Sequence, residues 1–317
     1  MAKQHSDGYE NYYVPEQSRL AICLAISVAV MGIGVATGIN NMNPKFAEMT
    51  NDSGWIIFYV GLAAFIVTLF AWFRMTIIEE KKGLNSQQLK HSYALGMQWF
   101  IFSEVMFFAC FFGVLFYARN LSLPWLAGEG EGALTNLYLW TGFEYSWPMM
   151  TTPQEVVGVA NQVIANNGEF RAAEAIVDPW HIPLINTVLL LSSSVTVHFA
   201  HTALKNNKRK LFNHWLALSL LLGFVFVGLQ ILEYKIAYNE LGLTLASGIY
   251  GSTFFILTGF HGFHVCMGAI MLGVQWLRST TQGDFTAEEH FGFEASAWYW
   301  HFVDVVWLGL FLFVYII

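Results

Sequence analysis

Carboxylates and histidines lie within stretches of this sequence that are otherwise apolar, and they are the residues that could do chemistry. Close to the C-terminal end, the string FEASAWYWHFVDVVW contains Glu294, His301 and Asp304. At 100° per residue, all three side chains fall within about 80° of one another, so they share one face of a helix. His301 and Asp304 are also three residues apart, which allows direct contact.

Other apolar segments carry groups of the same kind. GFHGFHV places His261 and His264 three residues apart, FSEVMFF contains Glu104, and HFAHTA contains His198 and His201. Histidines and carboxylates on neighbouring helices could bind metal or haem, pass protons, or hydrogen-bond the helices together. The residues alone favour a hydrogen-bond network and leave the other two open, although no pair has the Glu-x-x-His form of di-metal bundles.

The elements that must position these groups are membrane helices. The chain has 317 residues, of which 56% are hydrophobic and only 12% charged, far from the composition of a soluble domain. Lipid cannot satisfy open β-structure, so the sequence predicts an all-α membrane protein with a bundle of seven helices. The predicted spans are roughly Leu20–Ile39, Trp55–Phe73, Leu95–Tyr117, Pro183–Leu204, Leu211–Leu232, Gly248–Leu277 and Phe293–Ile317.

Basic residues predict the direction of the spans. Eleven of the fifteen Lys and Arg residues lie in the N-terminal tail or in the second, fourth and sixth loops, with KNNKRK (205–210) the densest cluster. Only Lys45, Arg119, Arg171 and Lys235 fall on the other side. The positive-inside rule therefore predicts an N-terminus inside and a C-terminus outside. The first span is predicted to be permanent, because its apolar run is longer than a signal-peptide core.

The loop at 120–182 differs from the other connections in length and charge. It contains seven acidic residues against Arg171 alone, and the predicted direction places it outside. PQEVVGVANQVIANNGEF predicts one short amphipathic helix within it. On the first span, GVATG has the G-x-x-x-G spacing of close helix contacts, although this signal is weak.

Four strings together resemble subunit III of cytochrome c oxidase, a haem–copper oxidase. They are HFGFEASAWYWHFVDVVW, IYGSTFFILTGFHGFHVCMG, FSEVMFFACFF and PLINTVLLLSSSVT. The match runs through the third to seventh spans in order, with weaker similarity in the first two. The resemblance implies seven helices with the N-terminus inside. It implies that residues 1–94 form the N-terminal tail and two helices, and that residues 95–317 form a five-helix bundle. The first two helices would splay from the bundle and leave a lipid-filled cleft.

The resemblance also implies an accessory role without redox chemistry. Haem a and copper would belong to partner subunits I and II, and this chain would carry no metal of its own. It would stabilise subunit I, support proton uptake and prevent inactivation during turnover, as electrons pass from cytochrome c to oxygen. A quinol oxidase is the alternative, although third subunits of that branch generally lack the first two spans. A proton or ion transporter and a seven-helix receptor are weaker alternatives, and the predicted inside N-terminus disfavours the receptor.

Particular residues acquire expected roles through the resemblance. Six would form an intramembrane polar network: Glu104, His261, His264, Glu294, His301 and Asp304. Four would contact lipid headgroups: Trp72, Arg74, Glu79 and Arg278. Two departures from the family pattern stand out. The family usually has Trp where this chain has Gly113, which predicts a void at that position. It often has a histidine pair where this chain has HFAHTA.

The expected surroundings are a membrane and a respiratory complex. Structural phospholipids and the oxidase subunits are the expected partners, and no nucleic acid is expected. The acidic loop at 120–182 could also contact cytochrome c, since an acidic surface attracts a basic partner. A bacterial cytoplasmic membrane is expected in preference to the mitochondrial inner membrane, because no Arg-rich presequence begins the chain.

Overall fold

The structure, a computed structural model, describes residues 18–42, 53–157 and 172–317, and its regular elements within those ranges are helices. Seven are long and apolar enough to cross a membrane, which confirms the predicted all-α class and the seven spans. They are α1 (Leu20–Met42), α2 (Gly54–Lys81), α3 (Gln87–Tyr117), α4 (Ile182–Lys205), α5 (Arg209–Glu240), α6 (Gly248–Thr281) and α7 (Phe291–Leu310).

Most of these helices extend beyond the apolar spans predicted from the sequence. Helix α6 has 34 residues, and at 1.5 Å per residue it is about 51 Å long, well beyond the ~30 Å of a hydrocarbon core. Helix α7 continues as a π-helical segment, Phe311–Ile316. The sequence prediction was short because hydropathy detects only the apolar part of a helix, while hydrogen bonding continues into its polar ends.

Residues Met1–Leu95 and Gly96–Ile317 form two compact units. In the first unit, α1 and α2 pack closely through small residues. A Cβ atom built on Gly34 would collide with the backbone of Phe58, and one on Gly54 would collide with the backbone of Gly38. The G-x-x-x-G spacing of the first span therefore lies at a real helix contact, where only hydrogen fits between the two backbones.

In the second unit, the indoles of α7 are the centre of the core. Trp300 and Trp307 are fully buried. Their ring N–H groups donate to Ser193 Oγ and Thr187 Oγ1 of α4, each over 2.9 Å. Satisfying both indole donors within the bundle matters because hydrocarbon offers no alternative acceptor.

The ring of Trp300 also sets the approach of two further helices. A Cβ atom on Gly223 of α5 would lie 2.7 Å from Trp300 Cη2, and one on Gly268 of α6 would lie 2.8 Å from its Cε3. Helix α3 reaches the same core through the rings of Phe108 and Phe302, whose centroids are 6.2 Å apart. Helix α7 therefore contacts α3, α4, α5 and α6.

The loop predicted at 120–182 contains more helix than the sequence indicated. After Tyr117 the chain continues without a break through a π-helical segment, Ala118–Ser122, into a helical turn, Leu123–Leu126. A further helix, Ala133–Leu139, was not predicted. Of the predicted amphipathic helix, the structure shows Pro153–Val157, and the rest falls at 158–171, outside the described residues.

Part of this segment, residues 118–157, has a small core of its own and is called the lobe below. Leu123, Phe143 and Met149 are the buried residues of its hydrophobic core. The side-chain amide of Asn136 donates to the carbonyl oxygens of Leu126, Trp140 and Phe143, each over 3.1 Å. One amide thus ties three separate turns of the lobe together.

Candidate polar network within the helix bundle

A side-chain contact between α3 and α6 joins two of the predicted site residues. Glu104 Oε2 lies 2.8 Å from His264 Nε2. The other ring nitrogen of His264, Nδ1, lies 2.6 Å from the carbonyl oxygen of Phe260, one turn earlier on α6. Aromatic rings enclose the imidazole, with that of Phe108 5.0 Å and that of Tyr299 6.3 Å from it between centroids.

The chemistry of the Glu104–His264 pair follows from these acceptors. A carbonyl oxygen only accepts, so His264 Nδ1 carries a proton and donates it to Phe260. One further proton must then lie between Nε2 and Oε2, because two lone pairs facing each other over 2.8 Å would repel. The pair is therefore either imidazolium with carboxylate or neutral imidazole with carboxylic acid, and it can exchange a proton internally in both cases.

His261, one turn before His264, makes a different contact. Its Nε2 donates to the backbone carbonyl of Val303 on α7 over 3.2 Å. Its ring is fully buried between Phe226 of α5 and Trp307 of α7. His261 Nδ1 has no hydrogen-bond partner among the described residues. His261 and His264 therefore point to different neighbours and form no shared site.

The three predicted polar residues of α7 also have different surroundings and form no common site. His301 Nδ1 lies 2.6 Å from Ser194 Oγ of α4 and 3.7 Å from Asp304 Oδ2. Asp304 is buried, and neither of its oxygens has a hydrogen-bond partner in the ranges that the structure describes. Glu294 is half-exposed, three residues after the start of α7. Sharing a helix face therefore brings His301 near Asp304 but leaves Glu294 apart.

A second buried carboxyl was missed by the sequence analysis. Glu233 of α5 accepts hydrogen bonds at Oε1 from Tyr315 over 2.6 Å and from Gln230 over 3.0 Å, while Oε2 has no partner among the described residues. Gln230 in turn accepts from Asn186 of α4 over 3.3 Å. The apolar run ends at Leu232, so Glu233 looked like an exposed helix end. The preceding Gln230, on the same face, was the available signal.

The sequence analysis identified only one member of a histidine pair that the structure shows. His201 Nε2 of α4 lies 3.1 Å from His290 Nε2, just before α7. His290 Nδ1 lies 3.1 Å from the carbonyl oxygen of Thr286. The sequence pointed to His201, but His290 lies outside the apolar spans, so no periodicity indicated it.

The residues predicted to bind lipid headgroups have different surroundings. In α2, Trp72 and Arg74 are exposed and Glu79 is half-exposed. Arg278 of α6 is buried, and its Nε donates to Asp284 Oδ2 over 3.2 Å. Lipid contact by these four residues stays a prediction, and for Arg278 the bond to Asp284 already occupies one face of the guanidinium.

Gly113 corrects one expectation. The sequence predicted an internal void at this position, which a neighbour would have to fill. Gly113 lies on the exposed side of α3, and a Cβ atom there would meet no atom of the described chain within 4 Å. The expected void is therefore open surface, because the helix presents this position outward.

Comparison with known proteins identifies the family. The family model described as cytochrome c oxidase subunit III matches residues 10–128 and 171–317. The chain belongs to the cytochrome c oxidase subunit III family. Proteins named cytochrome c oxidase subunit 3 are similar over most of both lengths. That of Carassius auratus is 39% identical over 257 residues, 81% of this chain and 82% of the relative.

Two further relatives of the same name agree. The protein of Tetraodon nigroviridis is 37% identical over 261 residues, and that of Squalus acanthias 38% identical over 260, each covering 82% of this chain and 83% of the relative. A member of the cytochrome c oxidase subunit III family is a multi-span membrane component of a respiratory oxidoreductase, associated with other oxidase subunits. In the described ranges, no three His, Cys, Asp or Glu side chains are grouped so that they could hold a metal ion.

Proposed function

We propose that this chain is a non-redox accessory subunit of an aa3-type cytochrome c oxidase. It stabilises subunit I, supports proton uptake and prevents inactivation while electrons pass from cytochrome c to oxygen. Haem a and copper belong to the partner subunits. The observation that carries the proposal is the family match, which covers all seven long helices from residue 10 to residue 317 apart from 129–170.

The geometry of the polar groups supports a structural role for this chain. The Glu104–His264 bond joins α3 to α6, His261–Val303 joins α6 to α7, and His301–Ser194 joins α7 to α4. Each bond connects two helices at membrane depth, where an unpaired polar group would be costly. The network therefore holds the helices in register.

Purification of the tagged chain in mild detergent tests the proposal. A reduced-minus-oxidised visible spectrum with the bands of haem a, together with subunits I and II by mass spectrometry, is the expected result. A colourless chain that arrives alone, from membranes whose other complexes remain intact, would contradict the proposal and favour a transport assay in liposomes.

Variants separate structural support from proton transfer. Asp304→Ala and His301→Ala are expected to lower the yield of assembled oxidase, with little change in turnover per haem of the complex that forms. Normal yield with abolished initial turnover would instead assign these residues to a proton path.

The electron donor is proposed to be cytochrome c, with a quinol oxidase as the alternative. The match of the first two helices to the cytochrome c oxidase family supports this choice. We place Glu129 and Glu131, both exposed on the lobe, at the docking surface for cytochrome c. Their replacement by Gln should raise the apparent KM for cytochrome c at low ionic strength and have little effect at high salt.

The matched control replaces two exposed acidic residues between α6 and α7, Glu288 and Glu289, by Gln. The predicted direction of the spans places them on the opposite side of the membrane, so KM should not change. An equal KM for the lobe variant and the wild type at low salt would remove the docking surface, while oxidation of quinol in place of cytochrome c would select the alternative.

The remaining parts of the proposal concern lipid and membrane. Structural phospholipids bind this chain, with headgroup contacts proposed at Trp72, Arg74, Glu79 and Arg278. The bacterial cytoplasmic membrane is the proposed location, supported by the interruption of the family match at 129–170. The relatives named above come from animals, so fractionation of the source cell decides between this membrane and the mitochondrial one.

A further inference from the structure

One side of α7 remains open although four helices pack around it. Helices α3, α4, α5 and α6 each contact α7 through the core described above. The side that remains carries exposed or half-exposed residues, and Val305, at its middle, has 68% of its surface exposed. This open stripe consists of Glu294, Trp298, His301, Val305 and Leu308 of α7 and of Leu312 in the π-helical segment that continues it.

The spacing of the open stripe is that of a helix–helix contact. Successive members are separated by four, three, four, three and four residues. This alternation, which repeats every seven residues, keeps one line of side chains facing a partner helix along the whole length of a contact. The open stripe therefore forms one continuous surface along the helix.

A polar group in the middle of the open stripe shows that lipid alone is a poor neighbour. His301 is ten residues from the start of α7, near the middle of its membrane segment, and 44% of its side chain is exposed. Nδ1 is held by Ser194 of α4. Nε2 has no hydrogen-bond partner among the described residues, and hydrocarbon offers it none.

We propose that a transmembrane helix of another oxidase subunit packs along the open stripe and hydrogen-bonds His301 Nε2 through a polar side chain at mid-membrane depth. The inference rests on the proposed function, since it requires a multi-subunit complex. Trp298, Val305 and Leu308 supply the apolar contact, and His301 fixes the register of the incoming helix. Ser194 of α4, bonded to Nδ1, holds the imidazole from within the bundle.

Photo-crosslinking in the assembled complex tests the contact directly. Benzoylphenylalanine replaces Val305 in one variant and Leu221 of α5, 59% exposed, in the control. We expect illumination to attach a peptide of another oxidase subunit to position 305, and that peptide to contain a polar residue within its apolar run. Position 221 should give no crosslink to that peptide.

Several outcomes would overturn the inference. Crosslinks from position 305 to lipid only, to a second copy of this chain, or to its own α1–α2 pair would each assign the open stripe another neighbour. Equal recovery of the same peptide from position 221 would show that the contact is not specific. Failure of the unmodified tagged chain to bring down haem-containing subunits would instead remove the proposed function, and the inference with it.

The role of His301 is tested by two substitutions at the same position. His301→Gln keeps a polar group that can reach the partner helix, and it should retain most of the association. His301→Leu removes it and should weaken retention of the partner subunit about three- to twentyfold, the range for one interhelical hydrogen bond. Equal retention by both variants would overturn the hydrogen bond, and a crosslink at position 305 would then support the apolar contact alone.

Discussion

The packing of Trp300 makes a sharp prediction about two glycines. Replacing Gly223 or Gly268 by Ala would place a methyl group 2.7 or 2.8 Å from the Trp300 ring, well inside van der Waals contact. The ring is fully buried and hydrogen-bonded to α4, so it cannot move away cheaply. Overpacking of this kind costs about 1–3 kcal/mol.

Two other glycines provide matched controls. Gly228 lies on the same helix as Gly223, and Gly262 on the same helix as Gly268, but a Cβ atom on either would meet nothing within 4 Å. Since Ala is favoured over Gly within a helix by about 1 kcal/mol, these two substitutions should be neutral or stabilising. The gain in helix propensity is common to all four substitutions, so the predicted contrast between the two pairs is the overpacking cost, about 1–3 kcal/mol.

Thermal unfolding of the tagged chain in the purified complex measures the contrast. Fluorescence-detected size-exclusion chromatography follows the fraction of the complex that remains soluble after heating. The temperature at which half of it is lost should be on the order of 5 °C lower for Gly223→Ala and Gly268→Ala than for Gly228→Ala and Gly262→Ala. Phe has a smaller ring than Trp. In a Trp300→Phe background, the same Gly→Ala substitutions should therefore lower the midpoint much less. Equal midpoints for all four alanine variants would refute the argument, as would a double variant that shows no relief.

Three further predictions concern polar contacts. Glu104→Leu should cost about 1–3 kcal/mol of unfolding free energy by leaving the His264 ring without its partner, measured as above. Tyr315→Phe should cost about 1 kcal/mol by removing one of two donors to Glu233. In the turn before α4, the backbone N–H of Trp180 lowers the pKa of Asp178 below 3.8, so exchange protection of that amide should persist at neutral pH and disappear as pH falls through the lowered pKa.

Conservative variants serve as controls for these three predictions. Glu104→Gln keeps a donor toward His264 Nε2 and should recover most of the loss. Tyr138→Phe removes a hydroxyl that is almost fully exposed and should have no effect. Asp178→Ala should abolish the protection of the Trp180 amide at every pH, and protection that persists in this variant would contradict the assigned hydrogen bond.

The sequence was sufficient to predict the seven spans, because each is apolar enough to be recognised by its hydropathy alone. It was insufficient at their ends, where Glu233 and His290 lie, because a polar residue beside an apolar run can be exposed or folded inward. Helical periodicity placed Glu294 with His301 and Asp304 correctly by angle. It could not show which sides of α7 the four neighbouring helices cover and which side they leave open, and this decides the burial of each residue.

Contacts between helices were partly predictable. Glu104 and His264 were both identified, yet nothing in the sequence pairs them rather than Glu104 with His261. That choice depends on the rotation of α6 against α3, which Phe108, Tyr299 and their neighbours determine through packing. Backbone partners, such as the Val303 carbonyl for His261, leave no trace in residue type.

The Asn136 amide of the lobe has a consequence for chemical ageing. Its NH2 group faces three carbonyl oxygens, so each contact is attractive only while nitrogen occupies that position. Deamidation to aspartate would replace NH2 by a negatively charged oxygen and turn the three attractions into repulsions. A change of one mass unit could then open the lobe while leaving the seven membrane helices intact.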